Sequence, residues 1–341
     1  MKKLTVGVIG AGRMGKIHIE NILHNIPDLE LKVVADINID DKMKKWAQEI
    51  GVKKLINDTS EIFDDPEVEV VVIASSTNTH IKFIKEAAKA KKDVFCEKPI
   101  DTDLNRIRET LKIVEEEGIK LMIGFNRRFD INFKRVREIV KSGQIGDPHI
   151  IKVTARDPAT PPIEYVKTSG GMFIDMTIHD WDMVCFQGGS EVEEVYAVGA
   201  VLIDPEIGKA GDIDTAAIIL KLKSGAIGMI DNSRQAVYGY DQRVEVFGSK
   251  GCAIAGNEPS NTVRIYTAEK TNEDNIPYFF LERYMESYAS ELRHFIDCVR
   301  DNKEPSPNGV DGFQTVLVAK AVQKSYEENR PVKISEIEAQ I

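Results

Sequence analysis

A glycine-rich turn near the N-terminus constrains the fold of this chain more than any other feature. The segment GAGRMG, residues 10–15, directly follows the apolar run LTVGVIG and opens a segment with helical patterning. In a G-x-G-x-x-G turn the first glycine permits a tight bend, the second lets backbone approach a pyrophosphate, and the third allows close packing of helix on strand. The N-terminus of the helix then presents free N–H groups to phosphates. The pattern predicts a dinucleotide site, with a purely structural turn as the alternative. Its candidate residues are Gly10, Gly12, Arg13, Met14 and Gly15.

The acidic residue Asp36 supports a dinucleotide site. It closes the next apolar run, LKVVAD, 26 residues after Gly10, which is close to the spacing of an acid that binds an adenosine ribose. A carboxylate there favours NAD over NADP, because the 2'-phosphate of NADP would meet like charge. The first basic residue after Asp36 is Lys42, so no arginine directly follows the acid. The expected cofactor is NAD.

Residues 4–124 alternate short apolar runs with helix-length amphipathic segments. The runs are LTVGVIG, LKVVAD, VEVVVIAS, DVFCEK and IKLMIG. Continuous Val/Ile runs are typical of buried parallel strands, and strand–helix alternation predicts a doubly wound α/β domain over residues 1–125. Over residues 126–341 the pattern changes, and several strand-like runs with glycine-containing turns follow one another. They predict a second α/β domain with a mostly antiparallel sheet.

The composition excludes several classes of protein. Over 341 residues, 42% hydrophobic and 29% charged side chains are typical of a globular protein rather than a disordered one. A net charge of -10 argues against nucleic acid or an anionic membrane as partner and favours a small soluble ligand. The N-terminal MKKLTVGVIGAG resembles a secretory signal only superficially, since glycines interrupt its short apolar run. Four scattered cysteines without CxxC spacing fit reduced thiols, so we expect a cytoplasmic protein.

Two further segments follow predicted strands and therefore lie at the carboxyl edge of the parallel sheet, where such sheets bind ligands. The segment SSTNTH, residues 75–80, offers contacts to the nicotinamide ribose, with polar helix capping as the alternative. The candidate contacts are Ser75, Thr77, Asn78 and His80. The segment CEKPI, residues 96–100, places Glu97 and Lys98 at the same edge. Most lysines are solvated surface residues, but this position makes Lys98 a candidate functional group.

The segment GGMFIDMTIHDWDM places two polar groups in an apolar, helix-like stretch. Over a predicted helix at 171–186, Asp175 and His179 are four residues apart and so share one face. Three interpretations are open: a metal site, a hydrogen-bonded core pair, or a general base beside a charged neighbour. No third histidine or cysteine has partner spacing, and Asp180 and Asp182 are expected to face solvent or cap polar neighbours, so no metal is expected.

Four segments, GAGRMG, EKP, GFNRRFD and GGMFIDMTIHDWDM, together resemble the family of sugar and polyol oxidoreductases that includes glucose-fructose oxidoreductase and inositol dehydrogenase. The resemblance covers essentially the whole chain. Within the family, the segments ARDPATPPIEY and NSRQAVYGYDQRVEVFGSKG are most similar to members that oxidise inositol. The resemblance implies a Rossmann domain followed by an α/β domain whose open sheet serves oligomerisation, with a homotetramer as the expected assembly.

The resemblance also implies roles for individual residues. The implied catalytic residues are Lys98, Asp175 and His179. The implied contacts to substrate hydroxyls are Arg127, Asp157 and a tyrosine of the YGYD turn, Tyr238 or Tyr240. Taken from the residues alone, Arg127 and Arg128 could instead be solvated or salt-bridged, and the tyrosines could be turn or core aromatics. The Lys98–Pro99 bond is expected to be cis, as in relatives.

The chemistry of alcohol oxidation fits these residue types. A hydroxyl proton must leave as hydride moves from carbon to the nicotinamide, and a neutral histidine, with a pKa of about 6.5 in water, suits the acceptor role of His179. The Lys98 cation would stabilise the developing alkoxide, and Asp175 would orient His179 or Lys98. We therefore expect NAD-dependent oxidation of a cyclic polyol, myo-inositol by preference, to its 2-ketone. The alternatives are another inositol isomer or an aldose, with NAD or NADP, and a non-catalytic dinucleotide-sensing regulator.

Overall fold

The computed structural model describes residues 2–341, which form two compact units. The first unit contains residues 2–126 and 286–314, and the second contains residues 127–285 and 315–341. The division after residue 126 lies next to the predicted boundary. Residues 286–314, expected in the second domain, belong instead to the first unit, where Phe295 packs on Phe95 with ring centroids 6.1 Å apart. Contact between such distant segments leaves no local signal in the sequence.

A parallel sheet of six strands forms the core of the first unit. Its strands are β1 (Leu4–Ile9), β2 (Leu29–Ala35), β3 (Leu55–Ile56), β4 (Val70–Ile73), β5 (Asp93–Glu97) and β6 (Leu121–Gly124). They lie in the spatial order β3-β2-β1-β4-β5-β6, the doubly wound arrangement that binds dinucleotides where the strand order reverses. The predicted Rossmann domain is confirmed, and the glycine turn follows β1 at that reversal.

Five α-helices connect these strands. They are α1 (Arg13–Glu20), α2 (Asp41–Ile50), α3 (Ser60–Asp64), α4 (Thr77–Lys89) and α5 (Leu104–Glu117), and a π-helical turn, Asn21–Asn25, follows α1. Local chemistry sets the ends of two of them. The side chains of Asp40 and Asp103 accept main-chain N–H bonds as N-caps of α2 and α5, and both helices end at a glycine in the left-handed conformation, Gly51 and Gly118.

The second unit is built on a mixed sheet of seven strands. The strands of this unit are β7 (Pro148–Arg156), β8 (Val192–Ala200), β9 (Thr215–Leu222), β10 (Ile227–Ser233), β11 (Asp241–Gly248), β12 (Gly251–Ala255), β13 (Arg264–Tyr266), β14 (Thr271–Glu273) and β15 (Val332–Lys333). The large sheet has the order β12-β11-β7-β10-β9-β8-β15, and β13 pairs separately with β14. Only the central pair β7–β10 is parallel, so the predicted mostly antiparallel sheet is confirmed.

The remaining helices follow β6 in the chain. They are α6 (Ile131–Lys141), α7 (Ile163–Val166), α8 (Gly171–Asp175), α9 (Ile178–Gly188), α10 (Pro205–Lys209), α11 (Phe280–Arg300), α12 (Gly309–Glu328) and α13 (Ile334–Glu338). Both α11 and α12 contribute residues to each unit. Across residues 2–341, none of the helices has the length and apolarity needed to cross a membrane.

The two faces of the seven-stranded sheet differ in burial. Along β9, Ile218 and Leu220 are buried while Ile219 between them is exposed, and α9 packs on the buried side of β7 and β10. The apolar residues of the opposite face, here called the exposed sheet face, are Val198, Ile219, Ile227, Met229, Phe247 and Ile254. Ile219 pairs across strands with Met229, so the apolar side chains adjoin one another. An apolar patch of this kind is typical of a protein–protein interface.

The predicted single helix over 171–186 is wrong, because α8 ends at Asp175 and α9 begins at Ile178. The main-chain N–H of Thr177 donates to the carbonyl of Met172, five residues earlier, and interrupts the regular four-residue ladder. The N–H of His179 reaches the carbonyl of Met176 at 3.4 Å rather than that of Asp175. The two polar residues therefore lie in separate helices, and their spacing alone does not fix a common face.

Candidate active site

The three glycines of the turn occupy the positions that their predicted roles require. Gly10 has a φ of +94°, and a Cβ there would lie 2.6 Å from the carbonyl oxygen of Ala74. A Cβ on Gly15 would lie 1.9 Å from the carbonyl oxygen of Gly10, so helix and strand meet too closely for any side chain. A Cβ on Gly12 would meet only open space. The turn thus leaves room beside Gly12, at the start of α1, where a pyrophosphate fits.

Asp36 lies against this turn at the end of β2. Its Oδ2 accepts the N–H of Ala11 at 2.7 Å, and its Oδ1 accepts the N–H of Asn38 at 2.8 Å. Each carboxylate oxygen has a second lone pair, so both can still accept a ribose hydroxyl. Together with the glycine turn, this acid fits NAD and disfavours the extra phosphate of NADP.

The segment at 75–80 leads into α4 and forms its start. The Ser75 and Thr79 hydroxyls are 2.7 Å apart, and Ser76, the N-cap residue, makes no side-chain capping bond. His80, predicted to contact the cofactor, is fully buried. Its ring nitrogens lie 2.9 Å from the carbonyl oxygen of Pro99 and 3.0 Å from that of Ser75. His80 therefore ties two loops together, and burial lowers its pKa.

Glu97 and Lys98 sit at the end of β5, as predicted, but the Glu97 side chain does not face outward. It is buried, and its Oε1 accepts a hydrogen bond from the His18 Nε2–H at 2.6 Å. The Glu97 carboxylate thus faces the interior of the unit. Lys98 is half-buried, and the Lys98–Pro99 bond is cis, as expected.

In the second unit, a buried cation stands beside Asp175. The Arg234 guanidinium lies 3.8 Å from Asp175 and 3.4 Å from Asp212. The other oxygen of Asp212 accepts the N–H of Met172 at 2.9 Å, and Asp175 accepts the Tyr165 hydroxyl proton at 2.7 Å. Two side chains thus hold the Asp175 carboxylate in place at the end of α8. His179 is half-buried in the first turn of α9.

Arg127 and Arg128 each form a buried ion pair with an aspartate of α9. Arg127 bonds Asp180 at 2.5 Å, and Arg128 bonds Asp182 at 2.6 Å. The expectation that these two aspartates face solvent is wrong, since both are fully buried. A buried carboxylate needs a counter-charge, and the arginines following β6 supply it. Burial raises the pKa of Asp180, and Arg127 offsets part of that rise.

Of the predicted substrate contacts, Arg127, Asp157 and Tyr240 lie in one electrostatic cluster. The Tyr240 hydroxyl is 3.5 Å from Arg127. Burial raises the pKa of Asp157 to about 6, opposed by Arg234 and Arg127 and reinforced by the nearby carboxylates. Burial would lower the pKa of Arg127, but Tyr240 and Asp180 outweigh it and raise that pKa.

Tyr238 lies elsewhere in the second unit. Its hydroxyl donates to Asp241 at 2.6 Å and accepts from Arg156 at 3.2 Å, and Arg156 also binds Asp231. Of the two tyrosines in the YGYD turn, Tyr240 is therefore the one grouped with Arg127. Lys98 belongs to the first unit, whereas Asp175 and His179 belong to the second.

Several residues of this site escaped the sequence interpretation. Arg234 and Asn232 both belong to the segment NSR at the end of β10, and Asp212 precedes β9. The Asn232 amide donates to Asp180 at 2.8 Å, and its oxygen accepts the Thr177 hydroxyl proton at 2.8 Å. Position in the chain was the available signal. Arg234 directly follows β10, and β10 runs parallel to β7, so Arg234 lies at the same edge of the sheet as the end of β7.

Comparison with known proteins agrees with both units. The model for the NAD-binding Rossmann fold of an oxidoreductase family, Gfo/Idh/MocA, matches residues 4–125. The model for the C-terminal alpha/beta domain of the same family matches residues 137–334.

Individual relatives match over nearly their whole length. The myo-inositol 2-dehydrogenase of Thermotoga maritima is 48% identical over 334 residues, which cover 98% of this chain and 99% of the relative. The inositol 2-dehydrogenase of Rhizobium meliloti is 43% identical over 96% of this chain and 98% of the relative. A solved structure of scyllo-inositol dehydrogenase from Lactobacillus casei, with bound NAD(H) and scyllo-inositol, is 30% identical. It has a TM-score of 0.91 and covers 98% of this chain and 100% of that one. This chain therefore belongs to the Gfo/Idh/MocA family of oxidoreductases, and its first unit contains that family's NAD-binding Rossmann domain.

Proposed function

We propose that this protein oxidises a secondary hydroxyl of a cyclic polyol, converting myo-inositol to 2-keto-myo-inositol with NAD. One observation carries the proposal: the second unit groups carboxylates and arginines around Asp175, namely the half-buried Asp157 and the buried Asp180, Arg127 and Arg234. The hydroxyl groups of a cyclic polyol both donate and accept hydrogen bonds, and these carboxylates and arginines can pair with them. Relatives named for inositol oxidation at 43% and 48% identity support this substrate.

Each catalytic residue has a role that its chemistry suits. His179 takes the hydroxyl proton, since an imidazole accepts a proton near neutral pH. Asp175, held by Tyr165 and Arg234, orients that base. Lys98 stabilises the negative charge that develops on the oxygen. NAD, when bound, accepts the hydride from the ring carbon.

The substrate's other hydroxyls engage the cluster of the second unit. Asp157 is ionised above its pKa of about 6 and accepts hydrogen bonds from hydroxyl groups there. Arg127 is fixed by Asp180 and donates to hydroxyl oxygens, and Tyr240 stands beside it. Several fixed polar groups give stronger selectivity between isomers than an apolar pocket does, because a misplaced hydroxyl leaves them unpaired.

A second candidate keeps the same residues but takes another inositol isomer or an aldose. The solved scyllo-inositol dehydrogenase favours an isomer over an aldose, although its identity of 30% is lower than that of the inositol relatives. Use of NADP is disfavoured by the carboxylate of Asp36 beside the glycine turn.

A panel of polyols and sugars, assayed with NAD and NADP in parallel by absorbance of the reduced nicotinamide, tests the proposal. We expect the highest kcat/KM with myo-inositol and NAD. Turnover of aldoses but not of inositols would refute the proposed substrate class. A higher kcat/KM with scyllo-inositol than with myo-inositol would change the proposed substrate to that isomer. No turnover of any polyol or sugar would favour a dinucleotide-sensing regulator.

We also propose that the chain assembles as a homotetramer through the exposed sheet face. The apolar residues there, such as Ile219 and Met229, adjoin across strands and favour burial against a second copy. Light scattering should give the mass of four chains, and the double variant Ile219→Asp, Met229→Asp should give a smaller mass. The control Lys112→Asp, at an exposed position of the first unit, should leave the mass unchanged. A monomeric wild-type protein would refute the assembly.

A cytoplasmic location is proposed as well. All four cysteines are free, and Cys96 and Cys298 are buried. Unpaired thiols persist in reducing compartments, and burial raises the pKa of Cys96, which keeps the thiol protonated and unreactive. Fractionation of cells that express the protein checks the location, and recovery in an extracytoplasmic fraction would contradict it.

A further inference from the structure

Three ionisable side chains meet in the interior of the first unit. His18 of α1, Glu97 of β5 and Glu291 of α11 bring their ligand atoms within 4.8 Å of one another. His18 and Glu291 have no exposed surface, and Glu97 is 7% exposed. We refer to these three residues as the buried cluster. Among residues 2–341 they are the one group of histidine, cysteine and carboxylate side chains close enough to hold a metal ion.

The Glu291 carboxyl group is the unusual member of the buried cluster. Neither of its oxygens has a hydrogen-bond donor among the groups of residues 2–341. An ionised carboxylate buried without a donor or counter-charge is strongly unfavourable, so something must neutralise it. Only a proton or a cation can do so.

The hydrogen bonds of His18 bear on the total charge of the buried cluster. Its Nε2–H donates to Glu97, while its buried Nδ1 has no partner among the described residues. With no proton on Nδ1, that atom is only an acceptor, and the ring contains no buried donor without a partner. The buried cluster would then carry two negative charges if both glutamates were ionised. The surrounding rings of Phe95 and Tyr288, 5.1 and 6.2 Å from the imidazole, offer no compensating charge.

The geometry favours a proton over a metal ion. The Nε2 atom of His18 and the Oε1 atom of Glu97 are 2.6 Å apart, which is the length of a strong hydrogen bond. Two ligands of one ion, each about 2.0–2.2 Å from it, lie roughly 3 Å apart at tetrahedral or octahedral angles. A proton on Glu291 has two acceptors within the cluster, Nδ1 of His18 and the Glu97 carboxylate. The carboxylate is favoured, because hydrogen bonds to a charged acceptor are about twice as strong as neutral ones.

We propose that Glu291 is a neutral carboxylic acid in the folded protein, shares its proton with Glu97, and through Glu97 acts as a positioning residue for Lys98. Lys98 directly follows Glu97 at the end of β5, so fixing the Glu97 side chain from two sides fixes the main chain that carries the lysine. The neighbouring strand β6 confines the Glu97 side chain as well, because a Cβ on Gly124 would lie 3.3 Å from its carboxyl group. The role of Lys98 rests on the proposed function, whereas the protonation of Glu291 does not.

The groups that face the buried cluster come from four elements. They are His18 of α1, Glu97 and Cys96 of β5, Tyr288 of α11 and, through its charge interaction with Glu97, His80 of α4. None of them brings a fixed positive charge close to Glu291. Burial raises the pKa of Glu291, and the charge of Glu97 raises it further.

The first experiment measures protonation directly and needs no enzyme activity. Infrared difference spectra between wild type and Glu291→Gln, recorded at pH 7, should contain the C=O stretch of a protonated carboxylic acid in the wild type only. Glu286→Gln serves as a matched control, since Glu286 is on the same helix but has 79% of its side chain exposed. It should lose only a carboxylate band. Absence of the acid band at Glu291 would overturn the proposal.

Stability against pH gives a second, independent readout. An acid protonated in the folded state and ionised in the unfolded state binds one more proton when folded, so rising pH favours unfolding. The unfolding constant of the wild type, relative to Glu291→Gln, should therefore rise about tenfold per pH unit from pH 5 to 7. A constant ratio over this range would mean that Glu291 is ionised and would overturn the proposal. Stoichiometric metal in the purified wild type, lost in Glu291→Gln, would overturn it in favour of a metal site.

The positioning role is tested by kinetics of the intact enzyme. Glu291→Ala removes the partner of Glu97, and we expect kcat to fall at least tenfold while KM for NAD changes less than twofold. Glu291→Gln, which retains an N–H donor toward Glu97, should rescue kcat to within about threefold of wild type. An unchanged kcat in folded Glu291→Ala would overturn the positioning role. If the wild type turns over no polyol, the proposed function fails, but the infrared and stability results still decide the state of Glu291.

Discussion

The guanidinium of Arg234 lies 3.8 Å from the carboxylate of Asp175 and has only 2% of its side chain exposed. The same guanidinium reaches Asp212, which in turn holds the main chain of Met172. One buried cation is thus shared between a carboxylate that anchors the start of α8 and the carboxylate at its end. The position of Asp175 therefore depends on a residue 59 positions later in the chain.

Replacing Arg234 with methionine should lower both stability and activity. The change retains most of the volume but leaves two carboxylates with one cation fewer, so we expect the free energy of unfolding to fall by about 3 kcal/mol. Displacement of Asp175 should lower kcat/KM about a hundredfold. Denaturant unfolding and steady-state kinetics measure the two effects. Arg264→Met, at a largely exposed ion pair, is the control and should cost less than about 1 kcal/mol. Normal kinetics in folded Arg234→Met would contradict the role.

His179→Ala should abolish most of the catalytic rate without weakening cofactor binding. Loss of a general base lowers kcat by about 10² to 10⁴. Steady-state kinetics at saturating NAD and polyol measure kcat, and fluorescence titration measures the Kd for NAD, which should stay within twofold. His24→Ala, at an exposed histidine of the first unit, should leave both values unchanged. A near-normal kcat in His179→Ala would remove His179 from the role of base.

Asp36→Ala should change the choice of cofactor. The carboxylate binds the glycine turn through Ala11 and disfavours a 2'-phosphate, so its removal weakens NAD and admits NADP. We expect the KM for NAD to rise about tenfold, as for loss of a hydrogen bond to a charged group, and kcat/KM with NADP to increase. Asp41→Ala, at a carboxylate that is 99% exposed, is the control. An unchanged ratio of the kcat/KM values for NAD and NADP would show that Asp36 does not contact the adenosine ribose.

Asp157 should make stability and substrate binding depend on pH in a defined window. Its folded pKa of about 6 lies above the value of about 3.9 in an unfolded chain, so the folded state binds the proton more tightly. The resulting stabilisation is fully present below about pH 4 and is lost as pH rises through 6. Between about pH 4 and 6, the free energy of unfolding of the wild type should fall by about 1.4 kcal/mol per pH unit relative to that of Asp157→Asn. Above pH 6 the difference between the two proteins should stay constant.

The same titration has a kinetic consequence. Below pH 6 the protonated Asp157 accepts hydroxyl protons less well, so the KM for the polyol should rise as the pH falls. Asp157→Asn should remove this dependence, while the KM for NAD follows the same course in both proteins. A polyol KM that shows no inflection near pH 6 would contradict substrate contact by Asp157.

Sequence patterns were sufficient for the parallel sheet of the first unit and for the edge that carries its ligand groups, but not for the addition of residues 286–314. Glycine spacing and Val/Ile runs are local, and they predicted the turn at Gly10, the acid Asp36 and the strand end that carries Lys98. Local pattern failed where polar residues were interpreted by type alone. Asp180 and Asp182 were expected in solvent, yet both are buried, because Arg127 and Arg128 come from a distant segment to neutralise them.

The amino-acid sequence by itself determined the doubly wound parallel sheet, the dinucleotide turn, the preference for NAD and the set of polar residue types available for catalysis. Only the tertiary structure decided which ionisable side chains lie together: Arg234 with Asp175, Tyr240 with Arg127, and Glu291 with Glu97. The physical reason is that hydrophobic periodicity specifies which positions are buried, whereas the cost of burying a charge is set by the partner that folding brings to it. That partner is chosen by contacts between segments far apart in the chain, and no local pattern encodes it.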